Sequence, residues 1–374
     1  MKCNLLSRFA SLFRKCSILV SIPLLVATAF ANQPQLPNFD KRAPKAAQTN
    51  VAKKAAMDGI RAKVKDAKLR ENEVVGGLSF VGSTHEFLTD KNGRGKLVRD
   101  AVADSIPDND AHKPAKAFVK EHRLLFGFGP EALDAAKVKK DYVTKAGNFR
   151  TVIWQQDIDD IPVFEGVFKA HWTDDGKLIN VSSRFVPDVA KAANKIANRK
   201  AIQATPTIGA KQAIVLAAKN IGDIIGADQL TELAQPIGNH KQQKFRGGQV
   251  LNNVQTHLTW LPMDDSTVQL CWEVMLVSRA RGEGFNVLVD AQTGEVLVRH
   301  GLTEYISSAQ YNVFTGDSPS PFSPGWSAPS TNQPPIVSRS LVSVSALSTI
   351  GSPNGWINDG DNTTSGNNVN AHLD

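Results

Sequence analysis

The chain has 374 residues, of which 41% are hydrophobic and 21% are charged, and its formal net charge is +7. These proportions are typical of a globular protein and exclude a collagen-like, coiled-coil or wholly disordered chain. The length is sufficient for two or three domains, each of which buries its own core.

Residues 1–31 predict a secretory signal peptide. A basic stretch without acidic residues precedes an apolar run over 17–30, and the small residues at its end are typical of a cleavage site between Ala31 and Asn32. A membrane anchor is the alternative, but the run is shorter than the roughly 20 residues that a spanning helix needs. We therefore expect a secreted, extracellular protein without a membrane anchor, which crosses the periplasm if the cell is Gram-negative.

Removal of this segment changes the charge and the cysteine content. Four basic residues leave with it, so the formal net charge falls from +7 to +3, which gives little reason to propose a nucleic-acid partner. Cys3 and Cys16 leave as well, which excludes an intramolecular disulfide in the mature chain. The remaining Cys271 lies in the apolar alternation of residues 268–277, so a buried thiol is favoured over a reactive one.

Residues 32–187 predict a leader and a first folded unit. Residues 32–72 indicate an extended leader followed by an Ala/Lys-rich helix over 51–71, and 73–187 indicate a helix followed by antiparallel strands. The helix begins near Asp108 or Asp110 and ends at Gly127, and His122 lies on its apolar face, where a core role outweighs metal binding. Strands are predicted over 149–154, 161–172 and 178–186, with turns at Asp159-Asp160 and at 173–176.

A second unit repeats this plan. A polar, alanine-rich linker is predicted over 188–207, and Thr207 is a candidate N-cap for a helix that ends at Gly222 in a unit spanning 208–300. Strands are predicted over 257–261, 268–277 and 285–289, with a hairpin over 289–297. Because each unit places a helix before an antiparallel sheet, the predicted fold class is α+β rather than a parallel βαβ fold.

The composition changes again over residues 301–374. Its first part is rich in proline and serine, which predicts a linker. Residues 352–374 are rich in glycine, asparagine and aspartate. No terminal helix or strand closes this segment, so we expect the chain to stop inside a further domain.

The order of these segments resembles that of a fungalysin-type zinc metallopeptidase precursor. Residues 75–187, with Asp157-Ile158-Asp159-Asp160-Ile161-Pro162-Val163-Phe164, resemble the propeptide domain shared by fungalysin and thermolysin-type peptidases. Residues 208–298 are similar to the PepSY domain through their Ala-rich helix and final hairpin. Residues 311–374, with Gly366-Asn367-Asn368-Val369, resemble the incomplete start of the fungalysin-like peptidase domain.

The resemblance implies a pro-region that assists the folding of a downstream peptidase domain and inhibits it until cleavage. It also implies zinc, with calcium as a second candidate, in the peptidase domain that this chain does not contain. The expected partner is a downstream or separate metallopeptidase domain. We expect pro-region cleavage in a zone that includes Tyr305, Ser308, Ala309 and Tyr311.

The catalytic residues of such a peptidase are not found in the sequence. A helical His-Glu-x-x-His motif supplies two zinc ligands and a general base. Only His85-Glu86 begins this pattern, and Thr89 stands in place of the second histidine. We therefore predict no catalytic, cofactor-binding or metal-binding residue in this chain and no activity for this chain alone. Oxygen ligands for calcium are possible near the end, but a surface loop is favoured because their spacing does not match an EF-hand: Asp359, Asp361, Asn362 and Asp374.

Three hypotheses of function remain open. The favoured one is the pro-region of a secreted zinc metalloendopeptidase precursor. The alternatives are a free-standing secreted binding protein that inhibits a separate peptidase, and a hydrolase with an unfamiliar site. A reading frame that continues beyond Asp374 into His-Glu-x-x-His would favour the first hypothesis, and a stop codon would favour the second.

Overall fold

The computed structural model describes residues 36–42, 51–144 and 149–303, together with the backbone of four short strands beyond them. The predicted signal peptide, including Ala31 and Asn32, lies outside the described residues. The helices are α1 (Val51–Lys63), α2 (Asp100–Asp104), α3 (Lys113–Glu121), α4 (Arg123–Phe126), α5 (Glu131–Ala135), α6 (Val189–Asn194), α7 (Arg199–Ala204) and α8 (Ala210–Asn220).

The strands are more numerous than the helices among the described residues. They are β1 (Phe39–Asp40), β2 (Lys68–Glu71), β3 (Leu78–Gly82), β4 (Lys137–Thr144), β5 (Phe149–Ile158), β6 (Ile161–Thr173), β7 (Leu178–Ser183), β8 (Thr231–Glu232), β9 (Gln243–Arg246), β10 (Val254–Pro262), β11 (Val268–Val277), β12 (Gly284–Asp290), β13 (Val296–Gly301), β14 (Ala309–Val313), β15 (Ser340–Val344), β16 (Thr363–Ser365) and β17 (Asn370–His372).

The first 13 strands form one hydrogen-bonded sheet, while β14 pairs with β15 and β16 with β17. The N-terminal half of the sheet has the order β2-β3-β7-β6-β5-β4, and the C-terminal half has the order β1-β13-β12-β11-β10-β9-β8. Among the described residues the strands pair in antiparallel fashion except at one bridge, in which Val163 of β6 lies parallel to Trp260 of β10. The predicted combination of helices with an antiparallel sheet is confirmed. The division into two modules stays a prediction, because one sheet runs through both halves.

Helices pack against one face of each half of the sheet. Phe118 of α3 and Phe126 of α4 lie in one core with Trp154 and Phe168 of the N-terminal half. Residues 213–218 of α8 supply alanines and an isoleucine to a second core, where they meet alternate residues of β10, β11 and β12. The period-2 alternation of the strands thus places one set of side chains under the helices and the other set on the opposite face.

The predicted first helix is present and ends at Gly127 as expected, but it begins at Lys113 with His112 as its N-cap, not Asp108 or Asp110, and it is divided into α3 and α4. His122 between them has a non-helical backbone, with φ of −101° and ψ of 27°. Gly127 ends α4 with φ of 81°, a left-handed conformation that suits glycine. His122 is largely buried beside Phe118, with 4.5 Å between the ring centroids, so its predicted place on the apolar face is confirmed.

The predicted linker over 188–207 contains two helices, α6 and α7. Asp188 accepts a hydrogen bond from the backbone N–H of Lys191 at 2.9 Å and so caps α6. Ala192 and Ala193 are buried in the second core, which the polar composition of the segment did not predict. Tertiary burial of these alanines supports a helix that the sequence interpretation missed.

Two further boundaries differ from the prediction. The helix predicted over 51–71 ends at Lys63, because residues 68–71 pair with β3 as strand β2. Thr207 is not the N-cap of α8. Gly209 occupies that position, and the hydroxyl of Thr207 donates instead to Oε1 of Gln292 at 2.8 Å.

Candidate functional site

The candidate site is built on a long hairpin whose turn carries two acidic residues. Asp159 and Asp160 alone join β5 to β6, since Ile158 pairs with Ile161. Both turn residues have a left-handed backbone, with φ of 53° and 63°. This conformation matches the twist of the paired strands, and aspartate tolerates it better than most residues do. The predicted turn at Asp159-Asp160 is confirmed.

Side chains from other elements hold this turn. Nε of Arg199 in α7 lies 2.6 Å from Oδ2 of Asp159, and Nε2 of Gln203 donates to the same oxygen at 2.8 Å. The hydrogen bonds from Arg199 and then Gln203 lower the pKa of the Asp159 carboxyl. Nζ of Lys137 lies 2.7 Å from Oδ1 of Asp160. The two carboxylates therefore stabilise the turn.

A bulge interrupts β6 a few residues after the turn. Gln155 pairs with Val167 and Asp157 pairs with Pro162, so Gln156 alone stands opposite residues 163–166. Nε2 of Gln155 donates to the carbonyl oxygen of Val163 at 2.9 Å and to that of Gly166 at 3.2 Å. These bonds satisfy carbonyl groups that the bulge removes from the strand ladder.

Glycine is required within this bulge. A Cβ atom on Gly166 would lie 2.7 Å from Cβ of Val163 and 3.0 Å from its carbonyl oxygen. The preceding residue, Glu165, has a φ of 55°, which is rare for a residue with a long side chain. The bulge thus turns Glu165 away from the direction that an unbroken strand would give it.

The bulge is also where the two halves of the sheet meet. Val163 forms the parallel bridge to Trp260, whose indole N–H donates to the carbonyl oxygen of Ile158 at 3.3 Å. The hydroxyl of Thr259 donates to the carbonyl oxygen of Pro162 at 2.9 Å. The start of β6 is therefore bonded to β5 on one side and to β10 on the other.

Glu165 lies in a cluster of charges at this junction. Its Oε2 is 2.7 Å from Nη1 of Arg184 and 3.9 Å from Nη2 of Arg42. The Arg42 side chain is only 7% exposed, and its Nη2 lies 2.6 Å from Oδ2 of Asp40. Burial acts to raise the pKa of Asp40, but the hydrogen bonds and charge of Arg42 outweigh burial and hold that pKa below its ordinary value.

An open cleft of about 380 Å³ lies beside this cluster and is lined by residues of both halves of the sheet. Its charged lining combines carboxylates, guanidinium groups and an imidazole: Arg42, Glu71, Glu73, Glu165, Arg184 and His300. Such mixed charge suits a polar peptide segment better than an apolar ligand. The lining therefore presents charged groups of both signs to whatever occupies the cleft.

The predicted processing residues are only partly described. Tyr305 and Ser308 lie outside the described residues, and Ala309 and Tyr311 belong to β14, which pairs with β15. The candidate calcium ligands Asp359, Asp361, Asn362 and Asp374 also lie outside the described residues. Cleavage between 298 and 320 therefore stays a prediction.

The incomplete zinc motif has no helical scaffold. His85 lies in a turn after β3, where its Nε2 is 2.9 Å from Oδ2 of Asp66, and Glu86 pairs with Lys96 at 2.6 Å. His122, for which a core role was favoured over metal binding, lies outside this motif, and burial lowers the pKa of its imidazole to about 4. Within the described ranges, no three histidine, cysteine or acidic residues are grouped so as to hold a metal ion. The same ranges contain no helix both long and apolar enough to cross a membrane.

Glu165, Arg184 and Arg42 were not predicted from the sequence as parts of one site. One local signal was present, because Gly166 interrupts the predicted strand 161–172, and an isolated glycine in a strand often marks a bulge. No local pattern links Arg42 with Glu165, since the two residues are far apart in the chain.

The segment that builds this site also matches a known family. Residues 134–185 match the Fungalysin/Thermolysin Propeptide Motif. The matched propeptide motif contains β4 to β7, the acidic turn and the whole bulge. This chain therefore carries a propeptide-like segment of the kind that the resemblance predicted.

Other comparisons add little to the propeptide motif. The Bacillus megaterium YpeB C-terminal domain is a solved structure that aligns with 67% of this chain and 97% of its own, at 12% identity and a TM-score of 0.26. No curated protein sequence matches the chain.

Proposed function

We propose that this chain is the pro-region of a secreted zinc metalloendopeptidase precursor, which binds the peptidase domain, assists its folding and inhibits it until cleavage. The observation that carries the proposal is the match of residues 134–185 to the Fungalysin/Thermolysin Propeptide Motif. In this proposal, residues 208–300 are a PepSY-like module and residues 301–374 are the processing region and the start of the peptidase domain. Zinc, with calcium as a second candidate, would be bound by that domain and not by the described residues.

The physical basis of the proposal is the cost of folding a large exported enzyme. Non-local contacts form slowly, and partly folded states expose apolar surface, so a folded template on the same chain lowers the entropy cost of assembly. A tethered template also has a high effective concentration at the peptidase surface, which favours inhibition before cleavage. The two large hydrophobic cores of the described sheet support this role, because a template must itself be folded.

The proposal is tested with the chain from Asn32 to Asp374 and the catalytic domains of a fungalysin-type and a thermolysin-type peptidase. We expect the chain to slow casein hydrolysis by at least one of them and to raise the activity recovered after dilution from denaturant. Phe168→Asp places a charge in the N-terminal core and should abolish both effects. A chain that neither binds, inhibits nor assists either domain would contradict the proposal.

A second measurement addresses the hydrolase hypothesis. The purified chain alone is incubated with casein, with and without a metal chelator. We expect no chelator-sensitive cleavage. Chelator-sensitive cleavage by the pure chain would show that its chemistry differs from a pro-region.

A further inference from the structure

The N-terminal half of the sheet has one face under the helices, and within the described residues no helix packs on its other face, which we call the open face. Val152, Trp154, Phe168 and Ala170 point into the first core with the helices. Their neighbours along each strand point to the opposite face, because side chains alternate along a strand. The strand register defines two rows of paired residues that cross this open face from one edge strand to the other.

The first row crosses all six strands of the N-terminal half, and the second row runs beside it. In order from β2 to β4, the first row is Arg70, Phe80, Ser182, Lys169, Ile153 and Lys140. The second row, in the same order, is Lys68, Gly82, Asn180, His171, Thr151 and Tyr142. We call these two rows the basic face.

The basic face carries four cations and no carboxylate. Lys68, Arg70, Lys140 and Lys169 are exposed, and within residues 36–42, 51–144 and 149–303 none of the four makes an ion pair. The next acidic residue on this side of β5 is Asp157, which is already paired with Lys137 at 2.9 Å. The positive charge of the basic face is therefore not neutralised by the described chain.

The side chains of the basic face are arranged like those of a protein interface. Neutral residues fill most of the interior, while Lys68 and Arg70 lie on one edge strand and Lys140 on the other. The guanidinium of Arg70 is held 4.9 Å from the centroid of the Phe80 ring. At a strand spacing of about 4.8 Å, six strands span about 24 Å, which suits a protein interface of ordinary size.

We propose that the basic face docks onto an acidic patch on the surface of the peptidase domain. The inference rests on the proposed function and adds to it the surface and the charge of the partner. Four strands of the face, β4 to β7, lie within the matched propeptide motif. A neutral interior flanked by charges is the anatomy of a protein interface, whereas a polyanion such as DNA requires cations along a continuous track.

The test compares two variants of the chain 32–374 with the same change in net charge. Arg70→Glu, Lys140→Glu and Lys169→Glu are combined on the basic face. The matched control combines changes at exposed lysines elsewhere: Lys54→Glu, Lys211→Glu and Lys244→Glu. Binding to the catalytic domain of a fungalysin-type peptidase is measured at about 50 and about 500 mM salt. Circular dichroism and thermal melting verify that both variants fold.

We expect the basic-face variant to bind at least about tenfold more weakly than the parent chain and to lose most of the salt dependence. The control should bind within about twofold of the parent. If the parent binds and both variants bind equally well, the basic face is not the docking surface, although the proposed function stands. If the parent binds neither this domain nor the thermolysin-type catalytic domain, both proposals fail. Binding of the parent to a DNA oligonucleotide or to anionic lipid vesicles, but not to the peptidase domain, also overturns the inference.

Discussion

The guanidinium of Arg199 lies 2.6 Å from the carboxylate of Asp159, and this ion pair fastens the left-handed turn between β5 and β6 to helix α7. The two side chains are 22% and 29% exposed, so the pair is only partly screened by solvent. It joins the matched propeptide motif to the segment that follows it, across 40 residues of chain.

Replacement of Asp159 tests how much this contact contributes. Asp159→Ala removes hydrogen bonds to a charged group and places alanine in a left-handed conformation, so we expect a loss of about 2 kcal/mol or more in the free energy of unfolding. Asp159→Asn should cost less, because asparagine tolerates that backbone. Urea unfolding provides the measurement, and Asp58→Ala at an exposed pair should change stability by less than about 0.5 kcal/mol. Equal losses in the alanine and asparagine variants would contradict the argument from backbone strain.

Burial of His122 predicts a pH dependence of stability. Its pKa is lowered from 6.5 to about 4, so between these values the unfolded chain binds a proton that the folded chain excludes. The free energy of unfolding should therefore fall as the pH decreases from 6.5 to about 4, by roughly 3 kcal/mol. We expect His122→Leu to remove most of this fall in urea unfolding measured across the range. An unchanged pH profile in His122→Leu would rule out this assignment.

Carboxylates add a second loss of stability at lower pH. The pKa values of Asp141 and Asp159 lie below their ordinary value of 3.8 because of hydrogen bonds from Arg150 and Arg199, respectively. A lowered carboxyl pKa stabilises the folded chain above the unfolded pKa, and this stability is lost as the pH falls through the folded value. We expect melting temperatures to decrease further below about pH 4, and Arg150→Met should reduce that decrease. A melting temperature that stays constant below this pH would contradict the expectation.

The bulge at 163–166 predicts a sharp contrast between two glycines. Gly166→Ala would force a Cβ to within 2.7 Å of Val163, and we expect it to destabilise the chain by roughly 1 to 3 kcal/mol. Gly59→Ala lies inside α1 with no atom within 4 Å of the new Cβ, so we expect a gain of about 0.5 to 1 kcal/mol. Thermal and urea unfolding of the two variants should show shifts of opposite sign. Shifts of the same sign would mean that the bulge relaxes to accept a side chain.

Cys271 is predicted to be inert in the folded chain. Burial raises the pKa of its thiol well above the ordinary value, and the side chain is fully buried in β11. In the chain 32–374, we expect a thiol reagent to modify Cys271 only as fast as the chain opens, and modification should become rapid in denaturant. Fast modification in native buffer would show that the C-terminal half of the sheet opens locally around Cys271.

The proposed processing is tested on secreted material. N-terminal sequencing should identify a cleavage near Tyr305, Ser308, Ala309 and Tyr311, between the last strand of the large sheet and the proposed start of the peptidase domain. Deletion of residues 304–308 should slow that cleavage while leaving the melting temperature of the 32–303 region nearly unchanged. Secreted chains without any cut between 298 and 320 would count strongly against a pro-region.

The sequence by itself determined the features that depend on neighbours along the chain. Alternating apolar residues predicted β5, β6, β7 and β11, and the turn residues Asp159-Asp160 and Gly176 marked the correct hairpins, because strand periodicity and turn backbone are local properties. The residues of the propeptide-like segment were also recognised from sequence, and the family comparison supports that part.

Only the tertiary structure decided how these elements meet. It placed Val163 beside Trp260, so that one sheet passes through both halves, and it brought Arg42 and Arg184 to Glu165. In the tertiary structure the predicted linker contains two helices, and one face of the sheet carries four cations that make no ion pair with the described residues. These relations depend on strand register, on burial and on contacts between residues far apart in the chain, and no local pattern of residue types encodes them.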